Sequence, residues 1–190
     1  MNINLTWDLF ILVFFGIIVA YSFIIGQNNT LKIILGTYVS ALAADAAGNL
    51  FGQYLGKSQP FLKAASNIGI QGQSDAMIVV KVSIFILLVI IFTVRGGILV
   101  DLKLSKSVFS RMILTGLFGF LSAGLIISTV LMYVSGLSFI AGGASAGQTS
   151  ITAFSGQSLF VQQLLTYYNL WFFLPVVAIL IREFLAGKES

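Results

Sequence analysis

The chain contains no cysteine and no histidine. Those two absences remove disulfides, thiol nucleophiles, histidine general bases, Ser-His dyads and the usual zinc and haem ligands. No metal and no cofactor is expected, and the protein reads as a non-enzyme. Charge is scarce as well. Ten Lys and Arg with six Asp and Glu amount to 8% of 190 residues, against about 25% in a typical soluble domain. So few charges cannot coat a water-facing globule. The net charge of +4 is carried by isolated cations beside apolar segments, with no basic block, so nucleic acid is not an expected partner. What fills the sequence is apolar: 58% of residues are hydrophobic and the mean hydropathy is +1.02. This surplus has to face lipid, and the bilayer is the first partner.

About 20 mostly apolar residues in a helix cross a hydrocarbon core of roughly 30 Å. Five segments approach that pattern, at about 8–26, 31–54, 77–94, 109–134 and 164–185. They predict a single all-α transmembrane domain over 1–190, a polytopic helical bundle. The residues before the first segment, MNINLTWD, carry no Lys or Arg, so this segment is expected to be a retained span, not a cleavable signal. Lys and Arg near span ends normally mark the cytoplasmic side. With the N-terminus outside, Lys32, Arg95, Lys103, Lys106, Arg111, Arg182 and Lys188 fall inside, while Lys57, Lys63 and Lys81 fall outside. That asymmetry favours N-out and C-in.

Three connections remain. The 55–76 loop is external under this orientation. Phe61, Leu62, Ala65 and Ile68 recur there at helical spacing after Pro60, so it is either a short interfacial helix or an irregular loop. The 95–108 stretch is the basic cytoplasmic connection, a topology signal with a face able to lie against anionic lipid. The 135–163 stretch is rich in Gly, Ser and Ala and has no charge. It is either a flexible external loop or a re-entrant piece buried by protein.

The second segment holds the most specific pattern. Gly36, Ser40, Ala44, Gly48 and Gly52 form a row spaced by four, beside a row of Thr37, Ala41, Asp45, Asn49 and Gln53. Such rows make a slanted stripe on a helix, and small residues let helix backbones approach closely in lipid. The fourth segment offers Gly116, Gly119, Ala123, Gly124 and Ser128. Close packing involving these two helices is therefore expected, within one subunit or between copies.

Asp45 is the one acidic residue well inside a predicted span, and Lys81 lies at comparable depth in the third. A charge at the centre of a bilayer is costly and tends to mark function. Two readings stand. Asp45, Asn49, Gln53 and Lys81 line a polar path, or Asp45 sits near the outer interface while Lys81 snorkels to water. An aspartyl intramembrane protease needs two carboxylates sharing a site, and Asp45 has no acidic companion inside a span. GQYLGKS at 52–58 is one residue short of a phosphate-binding loop and has no βαβ context, and GGASAG at 142–147 reads as a hinge.

The layout from Asp8 to Val134 also carries a resemblance. Asp8, Leu9 and Phe10 open a hydrophobic span, Gly26 to Asn29 form a short turn, Arg95, Gly96 and Gly97 close the third span, and Arg111 to Ser128 form a Gly-rich fourth helix. This arrangement resembles the colicin V production protein family of bacterial inner-membrane proteins over about two thirds of the chain. The resemblance implies an inner-membrane location and a role in toxin production or envelope function, with no catalytic residues to carry over. The expected function is a non-enzymatic assembly, accessory or export-related component, self-associating through its small-residue faces or binding other membrane proteins. The alternative is a small channel or transporter with a polar path around Asp45.

Overall fold

The computed structural model describes residues 7–67, 69–70, 72–95, 108–140 and 159–187. Seven helices occupy them: α1 (Trp7–Ile25), α2 (Gln27–Tyr54), α3 (Gln59–Asn67), α4 (Gln73–Arg95), α5 (Val108–Val134), α6 (Leu159–Thr166) and α7 (Tyr168–Gly187). Among the described residues there is no strand. Helix is the expected outcome in lipid, where each backbone N–H and C=O must find its partner within the segment. Four helices, α1, α2, α4 and α5, are long and apolar enough to cross a membrane, and the α6–α7 pair makes a fifth span if its two arms count as one. The basic 96–107 stretch and the GGASAG sequence at 142–147 lie outside the described residues.

The element ends differ from the expected segments where glycine turns the chain. The second helix starts at Gln27, not residue 31, because Gly26 alone makes the turn: its φ of 79° ends α1, and its carbonyl accepts the Thr30 N–H at 3.0 Å. The fourth helix begins at Gln73, not 77, and holds Asp75 in its first turn, where a carboxylate suits the helix dipole. The largest correction concerns the expected single span at 164–185. There the chain forms two helices bent by 67°. The break falls at Tyr167, while Pro175 sits buried and uninterrupted inside α7.

Burial ranks the helices. In α5, 67% of the apolar window is buried and in α2 50%, against 11% in α1 and in α4. Thus α5 and α2 form the centre, and the outer helices carry the lipid-facing flank, including Leu12, Ile17, Leu87, Ile90, Val94 and Phe173, all at least half exposed. Three apolar clusters join them. Ile11 meets Ile127, Leu131, Val161 and Leu164; Leu31 and Ile34 meet Phe118 and Leu125; Ala41 and Ala44 meet Phe85 and Tyr133.

Helices α2 and α5 pack on each other, as expected, but the glycines of their two rows do not face one another. A methyl group on Gly36 would come within 2.9 Å of Phe92 Cβ, one on Gly52 within 3.2 Å of Met77 Cε, and one on Gly48 would strike the Lys81 stem. The α2 row thus receives large side chains of α4, with Ser40 and Ala44 fully buried between those glycines. On α5, a methyl group on Gly116 would come within 3.1 Å of the Phe23 ring, one on Gly119 within 2.8 Å of Ser22 Cβ, and one on Gly124 would strike Trp171. Ala123 between them is fully buried. This row receives α1 and α7. The physical reason is size matching: glycine removes volume, and contact is densest when a large side chain fills it.

The same contacts act as a ruler. On α1, Ile11 lies level with Ile127 and Leu131, and Ser22 with Gly119, so α1 runs antiparallel to α5. On α2, Leu31 and Ile34 lie level with Phe118 and Leu125, and Ala41 with Tyr133, so α2 runs parallel to α5. Asp45, one turn past Ala41, is therefore level with the start of α1. The nine residues after it in α2 project about 14 Å further at 1.5 Å per residue. With α3 and the first turns of α4, they form a helical crown beyond the level at which α1 starts.

Gly119→Leu should lower the unfolding midpoint in detergent by an overpacking cost of about 1–3 kcal/mol, since Ser22 and the α1 backbone at Val19 stand against it. Gly16→Ala should leave the midpoint unchanged, because nothing lies within 4 Å of that position. Size-exclusion profiles of both should match wild type, as the small-residue faces are engaged within the chain.

Candidate functional site

At the junction of bundle and crown, α2, α4 and the segment after α5 meet on one carboxylate. Asp45 is fully buried, and Lys81 Nζ lies 2.6 Å from its Oδ1. Its other oxygen, Oδ2, accepts the Ser138 hydroxyl at 2.7 Å and the Ile140 N–H at 2.8 Å. Asn49, one turn further along α2, donates its amide to Ser138 Oγ at 3.3 Å. An ionised carboxylate accepts hydrogen bonds and donates none. Here both oxygens are occupied, as burial of a charge requires.

Each partner is delivered by a local feature. Gly48 lacks the side chain that would block Lys81, so the lysine stem lies across α2 and its ammonium reaches back one turn to Asp45. At the end of α5, Gly136 has a φ of 78°, its N–H bonds the Tyr133 carbonyl at 2.9 Å, and the Leu137 N–H bonds the Met132 carbonyl at 3.1 Å. This glycine termination stops the helix and folds 137–140 back over α2. Phe139 anchors that strap, packing its ring edgewise on Tyr133 and Phe172 at centroid distances of 6.1 and 4.8 Å. The Tyr133 hydroxyl donates to the Ala41 carbonyl of α2, and the Lys81 ammonium stands 6.0 Å from the Tyr133 ring centroid.

Above the pair lies a cleft of about 1050 Å³ between α2, α4 and the strap, with Lys81 on its floor and Asn49, Gln53, Lys57, Gln73 and Ser74 on its walls. The side chain of Lys81 is 13% exposed while Asp45 is 0%, so the lysine, not the aspartate, meets the cleft. The lining contains two cations and no carboxylate. Below the pair, Ala41, Ala44, Phe85 and Tyr133 close the interface of α2, α4 and α5. Among the described residues no group of three or more acidic side chains converges to hold a metal.

Of the residues singled out in sequence, Asp45, Asn49 and Lys81 come together, while Gln53 lines the cleft two turns above Asp45 without joining the network. Of the two depths expected for Asp45, its position level with the start of α1 fits the one near the interface, because α2 extends well beyond that level. Ser138, Ile140 and Tyr133 were not singled out. Gly136 in the chain 135–140 was the one local signal of a turn there, and nothing in the spacing of Ser138 marks it as a partner of Asp45.

Lys81→Met leaves the Asp45 carboxylate without its counter-charge and should destabilise the protein by about 3–5 kcal/mol. Adding Asp45→Asn should restore much of that loss, because the neutral amide keeps an oxygen for Ser138 and Ile140. Thermal unfolding of the two single variants and the double variant in one detergent checks the coupling; additive losses would contradict it.

Comparison with protein-family models, curated proteins and solved structures finds no match for this chain.

Proposed function

We propose that this is a non-enzymatic integral membrane protein that takes a small anionic solute into the crown cleft as the first step of translocation. The observation that carries the reading is the double position of Lys81, which forms the floor of the cleft and is also the counter-ion of Asp45. An anion reaching that floor competes with Asp45 for the ammonium. The amide and hydroxyl groups of Asn49, Gln53, Gln73 and Ser74 suit the polar remainder of such a solute. Once Lys81 turns to the solute, Asp45 loses its counter-charge, and the strap bonds from Ser138 and Ile140 are placed under load. The strap and the aromatic contacts of Phe139 then form the closed gate, and release of Asp45 is the opening step.

The orientation belongs to the same proposal. Lys32, Arg95, Arg111 and Arg182 lie toward the end of the bundle opposite the crown, which fits a cytoplasmic lower end and an outward-facing cleft in a bacterial inner membrane. The reading as an assembly or accessory component of toxin production rests on the family resemblance. Gly36, Gly48, Gly52, Gly116 and Gly119 are covered by side chains of the same chain, so self-association in that reading would use other surfaces.

Liposomes containing the purified protein should take up radiolabelled lactate or phosphate, and not choline or glucose. The Asp45→Asn, Lys81→Gln double variant, uncharged at the floor, should lose that uptake by about tenfold, equivalent to about 1.4 kcal/mol. Because the chain has no cysteine, Gln53→Cys gives a single thiol in the cleft; a membrane-impermeant maleimide should label it from outside, and the transported anion should slow the labelling. Absence of anion uptake by wild type, or equal uptake by the double variant, sinks the reading.

A further inference from the structure

One cation keeps the crown junction neutral. Around Asp45, α4 contributes the Lys81 ammonium, α5 the Tyr133 phenol, the strap the Ser138 hydroxyl and the Ile140 N–H, and α2 itself the uncharged Asn49 amide. The Tyr133 hydroxyl is turned to the Ala41 carbonyl. Other charges of the crown stand higher. Lys57 follows the end of α2 at Tyr54, and Asp75, in the first turn of α4, lies more than a turn above Lys81. Below Asp45, the side chains of Ala41, Ala44, Phe85 and Tyr133 close the interface of α2, α4 and α5, and Asp45 itself is fully buried. Turning Lys81 away therefore leaves a buried negative charge held by dipoles alone. A charge in that position is neutralised sooner than carried, and a carboxylate is neutralised by a proton.

We propose that the solute anion enters the crown cleft together with one proton, which Asp45 takes up as Lys81 turns to the solute, a step that rests on the translocation reading of the cleft and names its coupling ion. Lys81 forms the cleft floor and its ammonium stands 2.6 Å from Oδ1, so its departure uncovers that oxygen on the cleft side. Oδ2 stays engaged with Ser138 and Ile140, which leaves Oδ1 to receive the proton. A hydronium ion arriving through the cleft gives up its proton, one O–H bond forms at Oδ1, and water remains. The lysine keeps its own proton, since a neutral amine has no charge to hold the anion. Before entry the floor holds the Lys81 cation and the Asp45 anion. After entry of a monoanion it holds the Lys81 cation, the solute and a neutral Asp45. The buried floor carries no net charge in either state, as its desolvation demands. When the solute leaves, Lys81 returns to Oδ1 and the proton is released on the same side as the solute.

Two measurements distinguish proton coupling from translocation itself. The first needs no transport. In Lys81→Met the ammonium is permanently gone, so the folded protein should hold a proton on Asp45 that the unfolded chain gives up near neutral pH. The folded form then binds more protons than the unfolded one, and stability rises as pH falls. Between about pH 8 and pH 5, the unfolding midpoint of Lys81→Met in detergent should climb toward that of the Asp45→Asn, Lys81→Met double variant, whose distance from wild type should stay constant. A Lys81→Met deficit that does not change with pH overturns the proposal. The second uses wild type in liposomes that enclose a pH dye, with lactate as the solute and the Asp45→Asn, Lys81→Gln variant as background. Lactate uptake should acidify the lumen by about one proton per lactate, slow by about tenfold per unit of rising external pH at low lactate, and ignore an imposed membrane potential. Uptake that follows the potential and moves no proton overturns the coupling and leaves the translocation reading standing. Absence of lactate uptake sinks that reading and the coupling with it.

Discussion

A carboxylate withdrawn from water must carry its partners with it, and in this protein that requirement organises the junction between bundle and crown. Asp45 is fully buried and uses three groups from two other parts of the chain. Lys81 brings α4 against α2. Ser138 and Ile140 bring the strap after α5 down over both. Leaving any of these groups out would cost the desolvation of a buried polar atom or charge, which is larger than the net value of an ordinary hydrogen bond. The position of Gly48 follows from the same constraint, because a side chain there would occupy the path of the lysine.

The second organising fact is a mismatch of lengths. The 19 residues of α1 span about 28 Å and match the hydrocarbon core, while the 28 residues of α2 span about 42 Å. The excess, which carries the amides Asn49 and Gln53, runs past the start of α1 and becomes the crown. Polar residues that look intramembrane when counted from segment ends are thereby raised to the boundary. The cleft follows as well, since α5 ends at Val134 while α2 continues for more than two turns beyond Asp45, leaving a space that α4 and the strap only partly fill.

Two recesses of opposite chemistry result from two different helix terminations. Gly136 ends α5 and turns the strap inward, which forms one wall of the polar cleft. Tyr167 breaks the last span and swings α6 across α1, which opens an apolar recess between α1 and the bent pair. One faces the aqueous side of the crown and the other the lipid flank. Pro175, the residue most associated with helix breaking, is buried inside α7; neighbouring helices in a membrane bundle tolerate it because freed backbone groups find other partners.

Much of the architecture was legible in the residues. The hydropathy marked four of the spans to within a few residues, since the medium dictates both helix and length. Scarcity of charge made Asp45 and Lys81 stand out, and their comparable depth was readable because the two helices leave the same connection in opposite directions. The spacing of Gly36, Ser40, Ala44, Gly48 and Gly52 announced a close-packed face. Which helix fills that face was not legible, because small residues state only that something approaches. Phe92 and Met77 are unremarkable in sequence, and so are Ser138 and Ile140, which reach Asp45 from more than 90 positions away. Local composition therefore determined the solvent, the secondary structure and the presence of a buried charge. The partners of that charge, the level at which it sits and the two recesses were decided by tertiary structure, because they depend on how helices of unequal length are aligned against one another, a relation that no single segment contains.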